Sequence, residues 1–231
     1  MAVGPVELEK VRIENKGIGK AAKFIIAELK KGDEPPQAVL RANGLAVLHK
    51  NIYEGILVDT DYKYQITVKG GGKLYYSDYD KTIWVWGYSH DYGPPEYQLT
   101  MDLLEKRYPD FKITLLHMLE KGDLKSTIME YISVGDMYKF IEPVRLLGKN
   151  EKIVDGKTAA HLTIEFGNID MVQKLLELGV SLAVKDDRGR TPLDLSAFLV
   201  EKDKNAAFFE KKDVFRYIHI FEFLEKVTGR R

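Results

Sequence analysis

Residues 155–162, Asp-Gly-Lys-Thr-Ala-Ala-His-Leu, recur at 187–195 as Asp-Arg-Gly-Arg-Thr-Pro-Leu-Asp-Leu, and this recurrence constrains the 231-residue chain more than any other feature. Gly156 and Gly189 stand 33 residues apart, and so do Thr158 and Thr191. A repeat of this length holds a turn and two helices. Such a unit cannot bury its apolar face alone and must stack on neighbours of its own kind. The residues between the copies fit: Gly167-Asn168-Ile169 marks the inter-helix turn, Met171, Val172, Leu175 and Leu176 give a helical apolar face, and Gly179 ends it.

Period and motif together resemble ankyrin repeats over about half the chain. The central unit matches most closely. KITLLHMLEKGDLKSTIMEYISVG is similar to a degenerate earlier unit, with His117 at the consensus histidine, and GRTPLDLSAF opens a third. A charged insertion, Glu201 to Asp213, delays the third unit's second helix, FRYIHIFEFLEKV, and is expected to loop out. The resemblance implies an all-α stack of about three units over residues 116–231, serving to bind a partner protein of unknown identity. It also implies that His161 and His117 tie adjacent repeat turns together by hydrogen bonds. His219, on the last helix with Phe215, Ile218 and Phe221, is expected to be packed or at the helix edge.

Residues 1–115 follow a different grammar. AKFIIAEL (Ala22 to Leu29) and QAVLRANG are short β-like runs. YQITVK and KLYYSDYD are two more, and Gly70-Gly71-Gly72 between them reads as a hairpin turn. KTIWVWGYS places Ile83 and Val85 on one face and Trp84 and Trp86 on the other. Helical spacing links Leu48, Ile52 and Ile56, and again Tyr97, Met101 and Leu104. The expected fold class is α+β: a compact mixed sheet flanked by two helices, in mainly antiparallel order.

Between the Trp86 strand and the helix after Pro95 lies Gly-Tyr-Ser-His-Asp-Tyr-Gly. Amides in such a loop can cradle an oxyanion, helped by a helix dipole and the Ser89 hydroxyl. The same residues also fit a plain turn capped by Ser89. Gly70-Gly71-Gly72-Lys73 lacks the spacing of a phosphate-binding Walker loop. Upstream, Lys23 and Arg41 sit at strand ends and His49 opens a helix. Each alone is compatible with solvation or core packing; together they supply two cations and a titratable base for phosphoryl transfer.

These separated motifs occur in the order found in the Janus family of protein histidine phosphatases, which the chain resembles over about residues 8–115. The segments carrying the resemblance are Lys-Phe-Ile-Ile at 23–26, Arg41, His49-Lys-Asn-Ile-Tyr, Val-Lys-Gly-Gly-Gly-Lys at 68–73, Asp80 to Pro94, and Lys106-Arg-Tyr-Pro-Asp-Phe. The resemblance implies removal of phosphate from a phosphohistidine-containing protein substrate, with no metal and no cofactor. It makes His49 the catalytic residue, either activating water or transiently accepting phosphate. It assigns phosphate binding to Lys23, Arg41, the Ser89 hydroxyl and backbone amides around Ser89 and Asp91. Three positions depart from the family: Asp91 replaces a small residue, Leu48 an aromatic one and Lys73 an arginine. The carboxylate at 91 leaves a rival reading open, a non-catalytic phosphate-binding adaptor acting through its ankyrin repeats. His90 reads as a bystander.

Bulk composition adds exclusions. Lys plus Arg and Asp plus Glu number 35 each, so no charge excess points to nucleic acid or an anionic membrane. Cysteine is absent, which removes disulfides and thiolate chemistry. No stretch reaches the roughly 18 apolar residues of a membrane span. MAVGPVELEKVRIENKG carries acidic residues without a signal-like apolar core, so a soluble cytoplasmic protein is expected.

Overall fold

A computed structural model of the chain describes residues 8–16, 19–116, 123–204 and 214–229. The chain divides into two compact units, Met1–Lys16 with Ala21–Leu115, and Gly17–Lys20 with Leu116–Arg231. Its fold class is α+β, and among the described residues no helix is long and apolar enough to cross a membrane.

The first unit is a six-stranded sheet in the order β1-β3-β2-β4-β5-β6. The strands are β1 (Val11–Glu14), β2 (Ala21–Lys30), β3 (Gln37–Asn43), β4 (Gln65–Ser77), β5 (Thr82–Trp86) and β6 (Lys112–Leu116). β1 pairs with β3 in parallel, whereas β2 pairs antiparallel with both β3 and β4, and β4 with β5. Helix α1 (His49–Asp59) lays Ile52 and Ile56 on Ile25, Ala27, Leu29 and Val39. Helix α2 (Tyr97–Arg107) lays Leu103 and Leu104 on the opposite face, against Phe24, Ile26, Leu74, Ile83 and Val85. With both faces covered, β5 is buried at every residue, and Trp84 stacks on Tyr75 at 4.8 Å. Each large apolar side chain so buried contributes about 1.5–3 kcal/mol.

The three glycines depart from the sequence reading. They form no hairpin turn: β4 runs unbroken through Gly70, Gly71 and Gly72 and pairs with β2 along its length. The register carries one extra β4 residue between the pairs Ile25↔Gly71 and Ala27↔Val68, a bulge at which Gly70 takes φ +98°. Side chains are excluded here by close approach. A Cβ on Gly70 would collide with the Pro94 carbonyl, and one on Gly71 would strike the Phe24 carbonyl and lie 3.2 Å from His49 Cδ2. The glycines therefore admit a loop and a helix N-terminus against mid-strand backbone.

The second unit contains six helices among its described residues: α3 (Leu124–Val134), α4 (Ile141–Leu147), α5 (Ala159–Glu165), α6 (Ile169–Glu177), α7 (Pro192–Lys204) and α8 (Val214–Thr228). They pair as α3/α4, α5/α6 and α7/α8, with α3, α5 and α7 packed in succession. Two expectations are corrected. The degenerate unit, quoted from Lys112, starts later: Lys112–Leu116 is strand β6, and the first helix pair begins at Asp123, whose carboxylate caps α3 through the Lys125 amide. The insertion does not loop out at Glu201, because α7 continues to Lys204; residues 205–213 lie outside the described residues, as does His117. His219 is exposed on α8, while Tyr217, Ile220 and Leu224 take the buried positions.

Candidate functional site

His49 is the first residue of α1, and its side chain is 7 % exposed. The helix starts there because Asn51 accepts the Leu48 amide at 2.9 Å and so fixes the entry turn. His49 Nε2 lies 2.9 Å from the Gly72 carbonyl. A carbonyl only accepts, so Nε2 carries the proton and Nδ1 keeps its lone pair. Among the described residues Nδ1 has no hydrogen-bond partner.

Charge around the imidazole comes from β2, β4 and the loop after β5. Lys23 and Lys73 are direct cross-strand partners, one residue beyond the Phe24↔Gly72 pair. Burial is the main force holding the His49 pKa below its ordinary value. Lys23 and Lys73 act in the same direction, while the Gly72 bond and Asp91 oppose them. The positive end of α1 also favours the neutral ring. His49 is therefore an imidazole held neutral, with an open lone pair between two cations and a carboxylate.

The loop that follows Trp86 closes on itself. Ser89 and Gly93 exchange backbone hydrogen bonds of 3.1 and 2.9 Å, and the buried Ser89 Oγ accepts the Tyr92 amide at 3.2 Å. Gly71 donates to the Gly93 carbonyl at 3.2 Å, tying the loop to β4 beside His49. Tyr92 also faces Tyr53 of α1, with ring centroids 6.2 Å apart. The Ser89 amide, expected to face phosphate, is thus engaged with Gly93. Among the described residues the His90 and Asp91 amides donate to no backbone carbonyl.

The structure brings His49, Lys23 and Asp91 together, and links Ser89 to them through Gly93 and Gly71. It sets Arg41 apart. Arg41 pairs with Ile25 on β3, is 5 % exposed, and lines a small cavity with Arg12, Asn43, Asn51 and Gly55. The charges that bear most on it are Arg12, Asp59, Glu9 and Glu14, and those that bear most on His49 are Lys23, Asp91 and Lys73. Two participants were missed in the sequence: Lys73 and the Gly72 carbonyl. The sequence places Lys73 at the start of a β-run, but only pairing across β2 and β4 sets it opposite Lys23.

Residues 6–112 match the model of the Janus/Ocnus family (Ocnus), and residues 155–187 that of the ankyrin repeat. The chain is 27 % identical over 119 residues to the 14 kDa phosphohistidine phosphatase of Homo sapiens, covering 49 % of this chain and 95 % of that protein. It is 30 % identical over 77 residues to the 14 kDa phosphohistidine phosphatase of Sus scrofa, covering 33 % of this chain and 61 % of that one. A solved complex of a predatory endopeptidase from Bdellovibrio bacteriovorus with an immunity protein aligns at 25 % identity and a TM-score of 0.33, covering 46 % of this chain and 47 % of that chain.

Proposed function

We propose that this chain, a Janus/Ocnus-type domain joined to ankyrin repeats, is a metal-independent phosphohistidine phosphatase whose repeats recruit a protein partner or substrate. One observation carries the reading: His49 has its Nε2 proton committed to the Gly72 carbonyl, its Nδ1 open, and Lys23 and Lys73 alongside. Two steps use that lone pair. In one, Nδ1 takes a proton as water attacks phosphorus; in the other, Nδ1 attacks phosphorus itself and water later displaces the phosphoryl group. In both, the P–N bond of the phosphoramidate breaks and its electron pair leaves with the substrate imidazole, which takes up a proton. Lys23 and Lys73 offset charge on the phosphoryl oxygens. The Ser89 hydroxyl and the open amides at the loop tip, Asp91 included, orient those oxygens. Arg41 contributes from behind α1.

The adaptor reading draws on the Asp91 carboxylate, which acts on His49 and repels a phosphoryl group. Hydrolysis of a phosphohistidine peptide by wild type and His49→Ala, in buffer with chelator, separates the two. Phosphate release by wild type, lost in the variant, is the expected result. Binding of the peptide without release favours the adaptor.

A further inference from the structure

Arg12 and Arg41 are register partners on the parallel strands β1 and β3, so their guanidinium groups emerge side by side beneath α1. Arg12 is neutralised by ion pairs: its Nε lies 3.2 Å from Glu14 Oε1, without a hydrogen bond, and its Nη2 bonds to the Asp59 carboxylate. Arg41 is not. Its Nη1 donates to the Leu40 carbonyl at 3.0 Å, and its buried Nε has no hydrogen-bond partner. The carboxylates that bear on Arg41 are engaged elsewhere, Asp59 and Glu14 with Arg12, and Glu9 with Arg107. A buried guanidinium whose neighbouring carboxylates are paired with other cations is only partly compensated, and Arg12 alongside makes it worse.

Arg41 lines a cavity of about 50 Å³ beneath α1. Measured as room for a water's centre, one water needs about 10–15 Å³, so the space holds an ion of chloride size together with waters. Glu14 also lines it, and its carboxylate disfavours a dianion more than a monoanion. We propose that this cavity binds a small monovalent inorganic anion of chloride size on the Arg41 guanidinium, bracing β3 against α1. His49, Lys23, Lys73 and Ser89 do not line this cavity, and the proposal stands whether or not the chain is a phosphatase.

The chain's two tryptophans, Trp84 and Trp86, both lie buried in β5, so the fluorescence melt of the full chain reports the unit that holds the cavity. Replacing potassium gluconate by potassium chloride at constant ionic strength is expected to raise the wild-type midpoint by about 3–6 °C. Arg41→Met is expected to lose that rise. Equal melting in the two salts, or a rise that Arg41→Met retains, overturns the proposal. Should Arg41→Met fail to fold, wild-type crystals grown with bromide decide the matter. An anomalous-diffraction peak beside Arg41 Nε supports the site, and a cavity without one overturns it.

Discussion

Two buried histidines, one in each unit, begin from the same chemistry and end in opposite states. His49 and His161 each give a ring proton to a backbone carbonyl, Gly72 at 2.9 Å and Arg190 at 3.0 Å. Burial depresses the pKa of both. They differ at the second nitrogen. His161 Nδ1 meets the Thr158 hydroxyl at 3.0 Å and the Thr158 amide at 3.3 Å, and the side chain is fully buried. Every polar atom of that ring is spent on holding two repeat turns together. His49 Nδ1 is open and flanked by Lys23, Lys73 and Asp91. A satisfied imidazole stabilises a fold, and an unsatisfied one beside cations can do chemistry.

The sharpest break of this contrast is substitution of each histidine. His49→Ala should lower phosphohistidine turnover by roughly a hundredfold or more while the tryptophan-reported melt changes little. Unchanged turnover in the folded variant would falsify the assignment. His161→Ala should behave the other way, with turnover per folded molecule retained. It leaves the buried Thr158 amide without its acceptor and removes one of the two donors to the Arg190 carbonyl, the other being the Asp186 amide, at a cost of about 1–3 kcal/mol in denaturant unfolding of the repeat unit. A negligible stability change there would show that the Thr158–His161–Arg190 link is dispensable.

Next in size are the two lysines. Lys23→Ala and Lys73→Ala should each weaken vanadate or phosphate binding by about 1.5–3 kcal/mol, roughly tenfold or more. Titrations that overlay wild type would move the anion cradle away from the cross-strand pair. Arg41→Ala should have the smaller effect, because its charge lies behind α1.

The smallest effects concern pH and Asp91. The folded pKa of His49 lies below the ordinary imidazole value of about 6.5, so the neutral base survives into mild acid. The acid limb of kcat/KM should therefore fall below that value. Lys73→Gln should move it upward, and Asp91→Ala downward. The stability linkage has the same sign for both histidines: the contribution is complete above the unfolded pKa and is lost as pH falls through the folded one. Asp91→Ala should maintain or raise turnover, since it keeps the amide and removes a repelling charge. A large loss would mean that the carboxylate takes part in binding or chemistry.

Much of this arrangement was legible in the residues. The Ala22–Leu29 run lies within β2, the Ile52 and Ile56 spacing marks the buried face of α1, and His49 falls at the start of that helix. The Thr-x-x-His pattern gave the role of His161 before its bonds were known. The three glycines were legible only in part. Triple glycine signals a turn when only chain flexibility is weighed, yet Gly70 and Gly71 are required by atoms that belong to Pro94, Phe24 and His49.

Local sequence determined the repeat period, the helix that carries His49 and the mainly apolar strands, because periodicity and capping act over a few residues. Tertiary structure alone decided which nitrogen of His49 is free, that Lys73 stands opposite Lys23 beside it, and that Arg41 lines a cavity under α1. Those facts depend on register between strands some 50 residues apart, as in Lys23↔Lys73, and on a one-residue bulge at Gly70. Because side chains alternate faces along a strand, a shift of a single residue there exchanges what points at the histidine for what points away.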